Sequence, residues 1–156
     1  MLPSPLCTLH NTLVRNSKAA FMLDVGCKVQ DRTARPVDVQ FVSNLVSGQN
    51  GPLFEGLAGA GMVLAGNLVL SSGTFPLTQA GVVVIDQKLT LALDNLWRPD
   101  VGSPAIDAGV ATGLILSDMD GQERDRDPDI GADEYSLAPK VYRPLSARDV
   151  GPNWIK

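Results

Sequence analysis

Asn11-Thr12-Leu13-Val14, Ser43-Asn44-Leu45-Val46 and Gly66-Asn67-Leu68-Val69 are three variants of one tetrapeptide, spaced by about 32 and then about 23 residues. A period near 23 suits one coil of a parallel β-helix, which needs three short strands and three turns. No such coil can bury its own apolar face. Stacking coils at a strand spacing of roughly 4.8 Å places like positions above one another. Leu13, Leu45 and Leu68 are then expected to form one internal aliphatic column. Thr12, Asn44 and Asn67 are expected at a turn, where a side chain can bond the next coil's backbone. The longer first interval is expected to carry an insertion at Gln30 to Pro36, which is charged and without apolar pattern. Ala19 to Val25 and Val82 to Ile85 read as further strands, the second a continuous apolar run of the kind covered on both faces. Chance recurrence of Leu-Val in a valine-rich chain is the competing account.

The composition points the same way. Fifteen glycines and eleven prolines in 156 residues favour many short strands and tight turns over long helices. Hydrophobic residues make up 44%, enough for a core, but aromatics only 5%, so that core is expected from Leu, Val, Ala and Ile. A net charge of −4 offers no basic field for nucleic acid or an anionic membrane. A polyanionic substrate would depend on local cations. Arg15, Lys18 and Arg35 are the candidates to line a groove and bind sugar carboxylates, with an ordinary solvated surface as the plain alternative. The most apolar segment, Leu57 to Leu70, is glycine-rich, interrupted by Asn67 and too short to span a bilayer. Met1-Leu2-Pro3-Ser4-Pro5 lacks the features of a signal peptide. Cys7 and Cys27 fit no metal pattern; about one coil apart, they leave open a bridge or a pair of buried thiols.

Past Gly73 the repeat fades. The expected organisation is coils over 1–73, last strands and an irregular connection over 74–100, and a cap and tail of the same domain over 101–156. A solenoid needs its last coil covered, because an open sheet edge invites aggregation. Segment 118–134 holds eight acidic residues against two arginines, Arg124 and Arg126. Asp107, Asp118, Asp120, Gly121, Arg124, Asp129, Asp133 and Glu134 are expected to form a structural cap pinning the tail to the last coil. In it the planar fork of Arg124 would join two carboxylates. A calcium loop of the EF-hand type needs glycine at its sixth position, and Gly121 falls at the fourth after Asp118, so no metal site is expected.

Ser103-Pro104-Ala105-Ile106-Asp107-Ala108-Gly109, Asp118-Met119-Asp120-Gly121-Gln122-Glu123-Arg124 and Asp129-Ile130-Gly131-Ala132-Asp133-Glu134-Tyr135 together resemble a signature that ends many bacterial parallel β-helix proteins. These include polysaccharide lyases of the alginate lyase and chondroitinase B type. The closing segment from Arg143 to Trp154 is similar to the C-terminus of the lyase-like members, and the Asn-Thr-Leu-Val and Ser-Asn-Leu-Val segments to their coil repeats. The resemblance covers nearly the whole chain but only about the last third of such an enzyme. It implies an all-β fold of about three right-handed coils with an irregular C-terminal cap, an extracellular or periplasmic setting, and an anionic polysaccharide as partner. Upstream β-helix coils or a second chain are the further implied partners. The terminal motif is less specific for lyases than for β-helix ends, since non-catalytic surface and carbohydrate-binding proteins carry it too.

Lyases of this type cleave uronic-acid polymers by β-elimination, which needs a base, a proton donor and neutralisation of the substrate carboxylate. The resemblance implies calcium held by Asn and Glu, a lysine base and an arginine acid in a Glu-x-Glu…Lys segment followed by Arg-His-Gly. Neither segment occurs here, and the sole histidine, His10, precedes Asn11. No catalytic residue and no cofactor is therefore assigned to this chain, calcium being expected only in the full-length family enzyme. Cys7 with His10 does not make a thiol nucleophile, because three residues apart on a strand they point to opposite faces. Gly59-Ala60-Gly61 lacks the residues of a phosphate loop.

Overall fold

The computed structural model describes residues 7–15, 19–23, 36–49, 51–55, 60–71, 80–143, 145 and 149–150. Every regular element among them is a strand. β1 (Cys7–Leu9), β2 (Thr12–Val14) and β3 (Phe21–Met22) are followed by β4 (Gln40–Val42), β5 (Leu45–Gln49) and β6 (Phe54–Glu55). Then come β7 (Val63–Ala65), β8 (Asn67–Ser71) and β9 (Val82–Val84). They form three parallel sheets, ordered β1-β4-β7, β2-β5-β8-β9 and β3-β6. From β1 to β8 the chain thus visits the sheets in turn and returns to each one strand further along, and β9 then pairs with β8 in the same sheet. An antiparallel pair, β10 (Leu89–Leu91) with β11 (Trp97–Pro99), opens the C-terminal part. No helix among the described residues is long and apolar enough to cross a membrane.

The pairing corrects the expected alignment by one residue in its first member. Thr12 lies beside Leu45 and Leu45 beside Leu68, whereas Leu13 lies beside Val46 and Val46 beside Val69. Asparagine sets this register. Asn11, not Thr12, stands in line with Asn44 and Asn67. Asn11 donates to Asn44 Oδ1 from its backbone N–H (3.1 Å) and from Nδ2 (2.9 Å). Asn44 donates to Asn67 Oδ1 in the same two ways, each at 3.0 Å. The row ends on the carbonyl oxygen of Gly81, which accepts from Asn67 N (3.0 Å) and Nδ2 (3.1 Å). A slip of one residue would break these bonds and turn every side chain to the other face. Just before each register point the backbone is left-handed, with φ of 49° at His10, 54° at Ser43, 59° at Gly66 and 83° at Gly81.

Alternation of side chains along a strand makes the one-residue difference count. Leu45 and Leu68 are buried with Ala105 and Ile130, under the C-terminal segment. Val46 and Val69 are buried with Leu53 and pack with Leu13, Phe21 and Phe54 between the sheets. The single column expected of Leu13, Leu45 and Leu68 is therefore two columns on opposite faces. Nor is the interior purely aliphatic. The rings of Phe21, Phe41 and Phe54 meet with centroids 4.7 to 5.6 Å apart, so three of the chain's four phenylalanines are concentrated there. β9 departs from expectation as well. As the outermost strand of its sheet it leaves Val83 54% exposed, not covered on both faces. Cys7 is exposed and so is not a buried thiol; Cys27 and the expected insertion, apart from Pro36, lie outside the described residues.

The C-terminal segment crosses the flank of the stack. Gly131 N–H donates to Ser43 O (2.9 Å), Ala132 N–H to Thr12 Oγ1 (2.9 Å) and Val110 N–H to Ser43 Oγ (2.8 Å). From the other side, His10 Nδ1–H donates to Asp129 O at 3.0 Å. The tail's hydrogen bonds thereby reach Thr12 of β2 and Ser43 before β5, while its Ala105 and Ile130 pack against Leu68 of β8. Gly131 is the point of closest approach. Its φ is 110°, and a Cβ there would lie 2.8 Å from Thr12 Oγ1.

Candidate functional site

Two groups of side chains merit description: the acidic segment, and a recess beside Arg15. The acidic segment has two centres. At the first, Arg124 donates to Glu134 Oε2 (2.9 Å) and to the carbonyl oxygens of Asp129 (3.1 Å) and Gly131 (2.7 Å). Its fork therefore joins one carboxylate to two carbonyls, not two carboxylates, because the tight tail leaves those carbonyls without backbone donors. Glu134 Oε2 also accepts from Asp129 N–H (3.0 Å). Asp129 accepts from the N–H groups of Asp107 (2.8 Å) and Tyr135 (2.5 Å). Asp107 enters this centre through its backbone alone; its side chain is exposed.

The second centre is built on Arg98 of β11, a residue that sequence reasoning did not single out. Its guanidinium pairs with Asp120 (2.6 Å), Asp94 (2.6 Å) and Asp133. Lys140 adds contacts to Asp94 and Asp120 at 3.2 Å each. Eight acids against two arginines in 118–134 implied that a cation must come from elsewhere, which is the signal that was there to be read. Asp118 serves the backbone. Its Oδ1 accepts from Asp120 (2.9 Å) and Gln122 (2.8 Å) N–H, and its Oδ2 from Glu134 N–H (3.0 Å). Gly121, at φ 77°, lets Tyr142 pack against the turn: an added Cβ would lie 2.6 Å from the ring.

Burial raises the Asp133 carboxyl to about 6, with help from the charges of Asp118 and Asp120 and against the attraction of Arg98 and Lys140. Burial likewise raises Asp129 and Glu134. Hydrogen bonding from Arg98 holds Asp94 well below the usual carboxylate range. His10 is lowered by burial and by the charge of Arg124, so its imidazole is neutral at pH 7. Asp118, Asp120 and Asp133 have oxygens within 4.8 Å of one another, close enough to ligate a cation. The oxygens of Asp118 are occupied by three N–H groups, however, and Arg98 is the cation that Asp120 and Asp133 hold.

Of the three candidate sugar-binding cations, Lys18 and Arg35 lie outside the described residues. Arg15 is exposed just past β2, with its guanidinium carbon 5.5 Å from the centroid of the Trp97 ring. Next to it a recess of about 240 Å³ is lined by Thr12 and Val14 of β2, by Asn95, Leu96 and Trp97, and by Met119 and Ala132. Trp97 belongs to β11, whose neighbour Arg98 is locked in the acidic centre, so one strand fixes both features. Against protein-family models and curated proteins, the chain finds no match.

Proposed function

We propose that this chain is the C-terminal part of a secreted polysaccharide lyase of the alginate lyase or chondroitinase B type. In this reading the three sheets are the last coils of a right-handed parallel β-helix, and residues 101–156 form an irregular cap folded along its flank. The piece itself lacks the catalytic set and works outside the cell or in a periplasm. What carries the reading is the combination of coil-to-coil asparagine bonding with the folded acidic tail, whose sequence resembles the end of those enzymes. An eliminase site requires base, proton donor and carboxylate neutralisation around one sugar ring, and the acidic centres use their charges on each other. The second reading is a non-catalytic β-helix surface or carbohydrate-binding protein, favoured by the exposed Arg15 over the half-buried Trp97 ring, an arrangement that can bind without needing chemistry.

The purified chain, incubated with alginate and with chondroitin-type polymers with and without calcium, is expected to release no unsaturated product by ultraviolet absorbance. Robust turnover would overturn the proposal. The coding sequence directly upstream of Met1 separates the two readings: a Glu-x-Glu…Lys coil there supports the lyase, and non-catalytic coils the surface protein.

A further inference from the structure

We infer that the recess between β2 and the Asn95–Trp97 corner binds one uronic-acid residue of an anionic polysaccharide, with the sugar carboxylate on Arg15. The inference rests on the polysaccharide reading above and adds to it a site and a ligand chemistry. Arg98, Arg124, Lys140 and Arg143 are each paired with carboxylates. Among the described residues no carboxylate is paired with Arg15, whose contact is an aromatic ring. Stacking on an indole holds a guanidinium in place through its face and leaves the N–H donors at its edge able to grip a carboxylate with two bonds.

The backbone adds a second observation. Arg15 sits at φ 58°, in the left-handed turn position that Gly48 fills at 64° one coil on. Glycine takes that conformation freely, while a side chain there costs on the order of 1 kcal/mol. The turn itself therefore does not select arginine. Asn95, at φ 63°, is exposed where it lines the recess, and its amide is available to sugar hydroxyls. Val14, Leu96, Trp97 and Met119 give the recess its apolar wall. A pyranose ring with a carboxylate matches this set: its C–H face lies on the wall, its acid on Arg15 and a hydroxyl on Asn95. A chain of net charge −4 does not suit a dense polyanion such as nucleic acid.

The test is a fluorescence titration of the full chain carrying Trp154→Phe, which leaves Trp97 as its sole indole. The probes are an alginate hexasaccharide, its carboxyl-reduced neutral counterpart, and polyglutamate. The hexasaccharide is expected to perturb Trp97 and bind saturably, and the other two to bind at least tenfold more weakly. Arg15→Gln is expected to weaken hexasaccharide binding about ten- to hundredfold, as befits a charged hydrogen-bonding pair. Arg15→Lys is expected to recover only part of that loss. Because Arg15 is exposed, circular dichroism of these variants should match the parent. Equal binding of the neutral sugar, equal binding of polyglutamate, or an unchanged affinity in Arg15→Gln would each overturn the inference. The lyase reading turns on the upstream coils and would survive any of those results.

Discussion

Asn44 makes the most of its amide. Its Oδ1 accepts twice from Asn11, its Nδ2 donates to Thr8 O and to Asn67 Oδ1, and the whole residue is buried. A buried donor or acceptor that loses its partner costs about 1–3 kcal/mol. Asn44→Ala strands groups on the chain segments to either side of it, so a loss of about 3 kcal/mol is expected in denaturant unfolding. Asn11→Ala removes one donor at the end of the row, and about 1 kcal/mol is expected. Equal costs at the two positions would show that the row does not act from strand to strand. The sequence made the asparagines visible at 44 and 67 but misplaced the first, because Thr12-Leu13 and Asn44-Leu45 look alike when only apolar pattern is compared. The register is decided by side-chain amides and left-handed bends, which a hydrophobic pattern does not encode.

At the scale of elements, the repeat and the tail were legible separately, and their docking was not. Parallel strands follow from a recurring motif, and the acid-rich segment with its Asp-Gly turn marks a compact tail. That the tail crosses the flank follows from bonds such as Ala132 to Thr12 and Asp129 to His10, between residues 120 and 119 apart in sequence. No local signal spans that distance. Arg98 was missed for the same reason: as one cation in Trp-Arg-Pro it looks like an ordinary strand residue until three carboxylates surround it. Two substitutions test the docking. Arg124→Ala leaves Glu134 buried without its cation, and breaking a buried pair from one side costs about 3–5 kcal/mol. Gly131→Ala meets Thr12 Oγ1 at 2.8 Å in a conformation that side chains rarely adopt, and a loss of about 1–3 kcal/mol is expected. Both should also speed proteolysis within the tail while the amides of β5 and β8 keep their hydrogen-exchange protection. Loss of protection throughout would mean that flank and stack unfold as one unit.

For the molecule as a whole, the tail makes stability depend on pH in two opposing ways. His10 is lowered in the folded state, so below its ordinary value of 6.5 the unfolded chain binds more protons and stability falls as pH falls. Asp133 behaves oppositely. Its folded value of about 6 lies above the ordinary 3.8, so between those values the folded chain holds the extra proton and stability falls as pH rises. The cause is first the burial of the carboxyl and then a surplus of charge, since Asp118 and Asp120 stand beside it around Arg98 and Lys140. Asp133→Asn mimics the protonated acid and should relieve that surplus. The difference in unfolding free energy between variant and parent isolates this group, because the contribution of His10 is common to both. At pH 7 the variant is expected to be the more stable, by no more than about 3 kcal/mol, the equivalent of two pH units. The advantage should shrink as pH falls below 6 and become small near pH 4, because only below 3.8 is the parent's own carboxyl protonated in both states. Thermal or denaturant unfolding of the two proteins at pH 4, 5, 6 and 7 measures it directly. A variant less stable than the parent at pH 7, by an amount independent of pH, would mean that the attraction of Arg98 for Asp133 outweighs the cost of burying a fourth carboxylate beside it.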